Sequence, residues 1–60
     1  MTIKVTIETD NDAFAHPHGP GEVVRILRNL AIEIEDTQLY IPCIVRDING
    51  NTVGAMEVDL

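Results

Sequence analysis

The sequence contains no serine, a single cysteine and only four basic residues, and each scarcity removes a class of function. Without serine there is no Ser–His–acid triad. With one cysteine, Cys43, no internal disulfide can form. Lys4, Arg25, Arg28 and Arg46 face ten acids, for a formal charge of −6. A nucleic-acid binder neutralises phosphates with Lys and Arg, so this balance argues against direct nucleic-acid contact and for a protein partner with a basic surface. No apolar run approaches the ~20 residues of a membrane span. The alternating start MTIKVTIE has no signal-peptide profile. A cytoplasmic setting is expected, where a lone thiol stays reduced.

Linkers, internal repeats and low-complexity stretches are also missing, so residues 1–60 are expected to form a single domain. A chain this short buries only ~60% of the surface its unfolded form exposes. Small domains make up the deficit with disulfides, a metal or self-association. Here the disulfide is excluded. An apolar fraction of 45% is ordinary for a folded protein and speaks against disorder.

Residues Thr2 to Thr9 alternate, with Ile3, Val5 and Ile7 on one side, which predicts a strand with one dry face. Asp10 to Gly19 is a polar connection. Gly19 as N-cap, Pro20 as first helical residue and Glu22 at the third position then start a helix. Val23, Leu27, Leu30 and Ile34 recur at helical spacing to about Asp36. Ile32 falls on the polar side, and Glu33, Glu35 and Asp36 crowd the C-terminal end, where the helix dipole prefers cations. LYIPCIV, from Leu39 to Val45, predicts a second strand with apolar residues on both faces, and TVGAMEVDL a third. The expected fold is α+β: β-α-β-β, a three-stranded, mostly antiparallel sheet with one amphipathic helix packed on one face.

Between the last two strands, RDINGNTVG begins like an ion-binding loop. Counted from Asp47, however, Gly50 falls at position 4 and Val58 at position 12, so the calcium register fails. A type I turn over Asp47 to Gly50, closed by a left-handed Gly50, fits better. That register pairs Val45 with Val53 and Cys43 with Ala55. A two-residue Asn49–Gly50 turn would instead pair Val45 with Gly54. The first register is preferred because it puts small and β-branched residues together on one face. It collects Tyr40, Pro42, Ile44, Met56 and Val58 on the opposite face. One helix covers one face only, so a homodimer through Tyr40, Ile44, Met56 and Val58 is expected.

Other constellations are weaker. His16 and His18 in HPHGPGE lack the second ligand pair of a structural zinc site, so no metal is expected. Gly19 and Gly21 with Arg25 and Arg28 form a candidate anion or nucleotide site at a helix start, but without a nucleotide-loop pattern. Cys43 has no base beside it in the sequence and reads as a structural thiol. No cofactor is called for. Ile32 ringed by Glu33, Glu35 and Asp36 is the foremost candidate for a partner-binding surface.

The stretches VVRILRNLAIEIED and VRDINGNTVGAMEV resemble small hypothetical proteins encoded in tailed-bacteriophage genomes and prophages. Those proteins pair an N-terminal IxIET strand with an ILRxLAxxIE helix and an LxDxNGNxVG hairpin, and the resemblance spans nearly the whole chain. Ile32 and Glu33 replace the acid and arginine often found there, and HPHGP is extra. The shared motifs are structural, so the resemblance implies fold and phage origin and carries over no catalytic residue. The expectation is a non-enzymatic phage accessory protein that binds a host or phage protein in the bacterial cytoplasm, such as an anti-CRISPR-like inhibitor of a host defence complex. Two alternatives stand beside it: a small-ligand or nucleotide-binding sponge, and a structural or regulatory self-assembling module.

Overall fold

The computed structural model describes residues 1–60. The chain runs through β1 (Thr2–Ile7), a 3-10 turn (Asp12–Phe14), α1 (Gly19–Thr37), β2 (Cys43–Arg46) and β3 (Thr52–Asp59). The strands form one antiparallel sheet in the order β1-β3-β2, and α1 packs on one face. The predicted α+β architecture is therefore present, with the last strand at its centre.

Local chemistry explains most boundaries. The Asn11 side chain accepts from the Ala13 N–H at 3.0 Å and so starts the 3-10 turn. This turn carries Phe14 into the core. A Cβ on Gly19 would lie 2.3 Å from the Phe14 carbonyl oxygen, so the turn can meet the helix there only because residue 19 has no side chain. The helix begins one residue earlier than expected: His18 precedes it with helical backbone and no side-chain cap, and Gly19 is its first residue. At the other end, Gln38 adopts the left-handed conformation (φ 56°) and its N–H donates to the Ile34 carbonyl. No base lies in the last turn. The Thr37 hydroxyl and the Gln38 amide instead donate to the Glu33 and Glu35 carbonyls, at 2.8 and 2.6 Å.

The buried face of α1 differs from the expected one. Gly19, Glu22 and Ile26 are its buried residues, while Leu27 is 45% exposed. Val23, Leu30 and Ile34 are half-buried. Ile26 meets Phe14, Val45 and Val53, with Ile7, Ala13, Val23 and Leu30 packed around them. The second strand is shorter than expected. Leu39 to Pro42 lie outside regular structure, and β2 starts only at Cys43. Proline has no N–H for a ladder, and the strand begins directly after Pro42.

The hairpin tip forms as expected. The Gly50 N–H donates to the Asp47 carbonyl at 3.0 Å, and Gly50 has φ 86°. Arg46 pairs with Thr52 in the expected register. A bulge between Val45 and Arg46 then shifts the ladder: Val45 pairs with Gly54, Ile44 with Ala55 and Cys43 with Met56. The Val45–Val53 and Cys43–Ala55 pairs do not form. Gly54 supplies the physical reason. A Cβ there would lie 1.8 Å from the Thr6 carbonyl oxygen, so the residue set closest to β1 must be glycine. Val53 becomes the extra residue of the bulge, with its side chain in the core.

This one-residue shift decides which face each side chain occupies. Met56 shares a face with Cys43 and Val5, and Val58 with Ile3, on the side of α1. Ile44 shares the outer face with Ala55 and Thr6. That outer face is polar apart from Ile44 and Ala55: Thr2, Lys4, Thr6, Glu57 and Asp59 make up the rest of its β1–β3 part. The helix does not extend over β1, where Ile3 and Val5 remain 37% and 40% exposed. Burial is correspondingly thin. Eight of 60 residues are buried. The radius of gyration is 11.9 Å, against about 10.4 Å for a compact chain of this length.

Candidate functional site

Two features stand out: a buried polar hub that fastens the hairpin to the helix, and an open cleft beside it. The hub is built from Glu22 and Asp47, the two buried carboxylates. Glu22 lies in the first turn of α1, where the helix dipole favours an acid. Its carboxylate accepts from Arg25 Nε at 2.5 Å and Nη2 at 3.1 Å, and from the Ile48 backbone N–H at 2.8 Å. The Glu22–Arg25 pair is the one ion pair of the chain. Asp47 Oδ1 accepts from the N–H groups of Asn49 and Asn51, both at 2.9 Å. Its Oδ2 accepts from the side-chain amides of Asn11 at 2.7 Å and Asn51 at 3.2 Å. The Asp47 oxygens are thus filled by N–H donors, which bars a cation from the place where an ion-binding loop would hold one.

These contacts move the ionisation of all three charged groups. Hydrogen bonding from Arg25 holds Glu22 below the usual carboxylate range, against the opposing effect of burial. The same bond raises Arg25. Burial pushes Asp47 upward, but the donors from Asn51, Asn11 and Asn49 together outweigh it, and the carboxyl ends below its ordinary value. No buried side-chain polar atom lacks a partner.

The cleft has a volume of about 410 Å³ and lies between α1 and β2. Ile26, Leu30, Cys43 and Val45 give it apolar walls, and Arg25, Arg46 and Glu33 supply charge. Ile32 and Ile44 also line it, 55% and 60% exposed. A smaller apolar groove of about 210 Å³ adjoins, where Leu39 and Ile41 meet Leu30, Ile34 and Met56. Leu30, Glu33 and Cys43 belong to both.

The structure redistributes the residues singled out from the sequence. Ile32 and Glu33 stand together on the cleft, while Glu35 and Asp36 are exposed outside both hollows. Tyr40, Ile44, Met56 and Val58 do not share a surface. The bulge turns Met56 and Val58 to the helix side, Met56 is buried, and Ile44 stays on the outer face. The anion-site residues do not converge either. Gly19 is packed against Phe14, Arg25 is held by Glu22, and neither hollow includes Gly19, Gly21 or Arg28. His16 and His18 lie exposed in the connection, and no group of three or more His, Cys, Asp or Glu side chains is placed to hold a metal. No helix is long and apolar enough to cross a membrane.

Sequence reasoning missed the hub and the role of Ile44 beside Ile32. The Glu22–Arg25 spacing of three was a visible signal for a helical ion pair, but nothing local announces the 26-residue reach from Glu22 to Ile48. No protein-family model, curated protein or solved structure matches the chain.

Proposed function

We propose that the chain is a non-enzymatic phage accessory protein that binds another protein through the cleft between α1 and β2. The observation that carries this reading is the open hollow between α1 and β2, bordered by Ile32 on the helix and Ile44 on the edge strand, each more than half exposed, with Glu33 beside Ile32. Exposed apolar side chains around a hollow, bordered by charge, are the anatomy of a small protein-binding patch. The formal charge of −6 and the unpaired acids Glu33, Glu35 and Asp36 select a partner whose contact surface is basic. Proteins that handle nucleic acid present such surfaces. The motif resemblance to phage and prophage proteins supports an encounter in the bacterial cytoplasm, and an inhibitor of a nucleic-acid-guided host defence complex is the concrete form of this proposal.

The test is inhibition of DNA cleavage by purified CRISPR effector complexes. Wild-type protein is compared with the Ile32→Asp/Ile44→Asp double variant. The expected result is inhibition of at least one complex, weakened ~30-fold or more in the double variant, which still unfolds cooperatively. Equal inhibition by both proteins removes the cleft from the reading. Inhibition of no complex removes the defence-inhibitor role.

A further inference from the structure

β1 is an edge strand, and its outer side is unpaired. The other edge of the sheet is β2, and only β3 pairs with β1. No backbone hydrogen bond outside the ladder involves residues 2–7. The direction of the free groups follows from one bond. The Glu8 N–H donates to the Val53 carbonyl at 2.7 Å, so residue 8 points its backbone groups at β3. Along an extended strand these groups alternate. Thr2, Lys4 and Thr6 therefore also face β3, while Ile3, Val5 and Ile7 hold their N–H and C=O toward the open edge.

We propose that this edge pairs two copies of the chain, β1 against β1 in antiparallel, with Val5 opposite Val5 on the two-fold axis. The sheet then becomes six-stranded with both helices on one face. In a two-fold pairing of this kind, residues directly opposite share a face, so the axis must pass through a residue. Centring on Val5 places Ile3 opposite Ile7 and makes all three facing pairs hydrogen-bonded, about six bonds in total. Centring on Lys4 would instead oppose two ammonium groups, which is destabilising. In the Val5 register, Lys4 meets Thr6 and Thr2 meets Glu8, and no like charges stand directly opposite. The same register brings the exposed Ile3 and Val5 of both copies into one apolar strip on the helix side. That strip is the surface α1 leaves uncovered.

Edges of this kind are commonly blunted by proline, several lysines or a covering loop. Residues 2–7 contain one lysine and no proline. The strand's self-complementary register selects a second copy of the chain as its occupant. This surface lies at the opposite edge of the sheet from the cleft, so pairing leaves Ile32 and Ile44 free. Two chains of formal charge −6 repel each other, so added salt should strengthen the dimer.

The experiment is light scattering on size-exclusion eluates at ~100 µM, well above the micromolar range of ordinary weak assembly, for wild type and Val5→Pro. Proline at position 5 removes an N–H that the β1–β3 ladder does not use, so the monomer fold should survive as edge strands allow. The expected result is twice the 6.6 kDa chain mass for wild type, and a dissociation constant at least ~100-fold weaker for Val5→Pro, which lacks the central bonds. A wild-type monomer overturns the proposal, and so does a Val5→Pro variant that remains dimeric. Should Val5→Pro fail to fold, Val5→Lys takes its place, since it opposes two charges at the axis. The register is read separately with Val5→Cys in a Cys43→Ala background and a short bismaleimide. Cross-linking at position 5 but not in an Asn49→Cys control supports the Val5 axis, and the reverse refutes it.

Discussion

The Glu22 carboxylate and the Ile48 N–H lie 2.8 Å apart across 26 positions of sequence, and this bond fastens the tip of the β2–β3 hairpin to the first turn of α1. On the hairpin side, Asp47 organises the tip by accepting two backbone and two side-chain hydrogen bonds. Asn11 joins the assembly from the β1–α1 connection. The apolar cluster has only four buried members, so this polar assembly supplies a large share of the fixed geometry. It also sets one wall of the cleft, because Arg25 and Arg46 belong both to the hollow and to the helix–hairpin contact.

Removing the acid at the centre of that contact should therefore cost more than an ordinary surface change. Glu22→Ala removes the buried carboxylate that accepts from the Ile48 N–H and frees Arg25 from its partner. A loss of about 1–3 kcal/mol is expected. For a domain this small, that lowers Tm by roughly 5–20 °C. Thermal denaturation followed by circular dichroism measures it, and a shift below 2 °C would mean that the hub is ornamental.

The same carboxylates make stability depend on pH in a definite direction. Glu22 and Asp47 are both held below their ordinary range in the folded protein. The unfolded chain therefore binds protons at these sites at higher pH than the folded chain does. Their contribution is complete above pH ~5, begins to fall near pH 4, and is lost as pH drops through the depressed folded values. Urea midpoints at neutral pH and pH 5 should agree, and the midpoint at pH 3 should be lower. Asp47→Asn should flatten the decline while lowering the neutral-pH midpoint. An unchanged slope in that variant would place the acid sensitivity elsewhere.

The fold was legible because its elements carry strong local signals. Alternation in Thr2–Ile7, proline at the second residue of α1 and the Asp47–Gly50 turn each declare themselves within a few residues. The face assignment was not legible, because it depends on a contact between segments 48 residues apart: Gly54 against Thr6. Reading the hairpin alone, the Val45–Val53 register extends naturally from the Arg46–Thr52 pair. The close passage of β1 forces the bulge instead and turns Met56 and Val58 inward. Of the candidate site, the local part, Ile32 with Glu33, was visible as an apolar residue on a polar helix face. Its partnership with Ile44 required the true end of the sheet, where β2 is an edge strand.

The bulge yields a sharp contrast between two glycines. Gly54→Ala must move the Thr6 backbone, because the new Cβ would sit 1.8 Å from its carbonyl oxygen. A destabilisation of about 3 kcal/mol or more is expected, since backbone and not a flexible side chain has to yield. Gly21→Ala meets nothing within 4 Å and lies in the helix. It should be neutral or stabilise by up to ~1 kcal/mol through the unfolded chain's lost freedom. Chemical denaturation of the two variants side by side tests the assignment. Similar losses in both would remove the close β1–β3 approach as the cause of the register shift.

At the far end of the helix, stability and binding should move in opposite directions. Glu35 and Asp36 lie in the last turn of α1, next to unfavourable backbone dipoles, with no base in that turn and no ion pair. Replacing both with lysine should raise Tm by about 2–6 °C. The formal charge then rises by four, from −6 to −2. If the acids exist to meet a basic partner, the same variant should bind that partner more weakly, with most of the loss in the association rate and a reduced dependence on salt. A residue kept against its own helix for the sake of a contact has this signature: its removal improves the fold and damages the encounter. A variant that is both less stable and unchanged in binding would assign Glu35 and Asp36 to the fold alone.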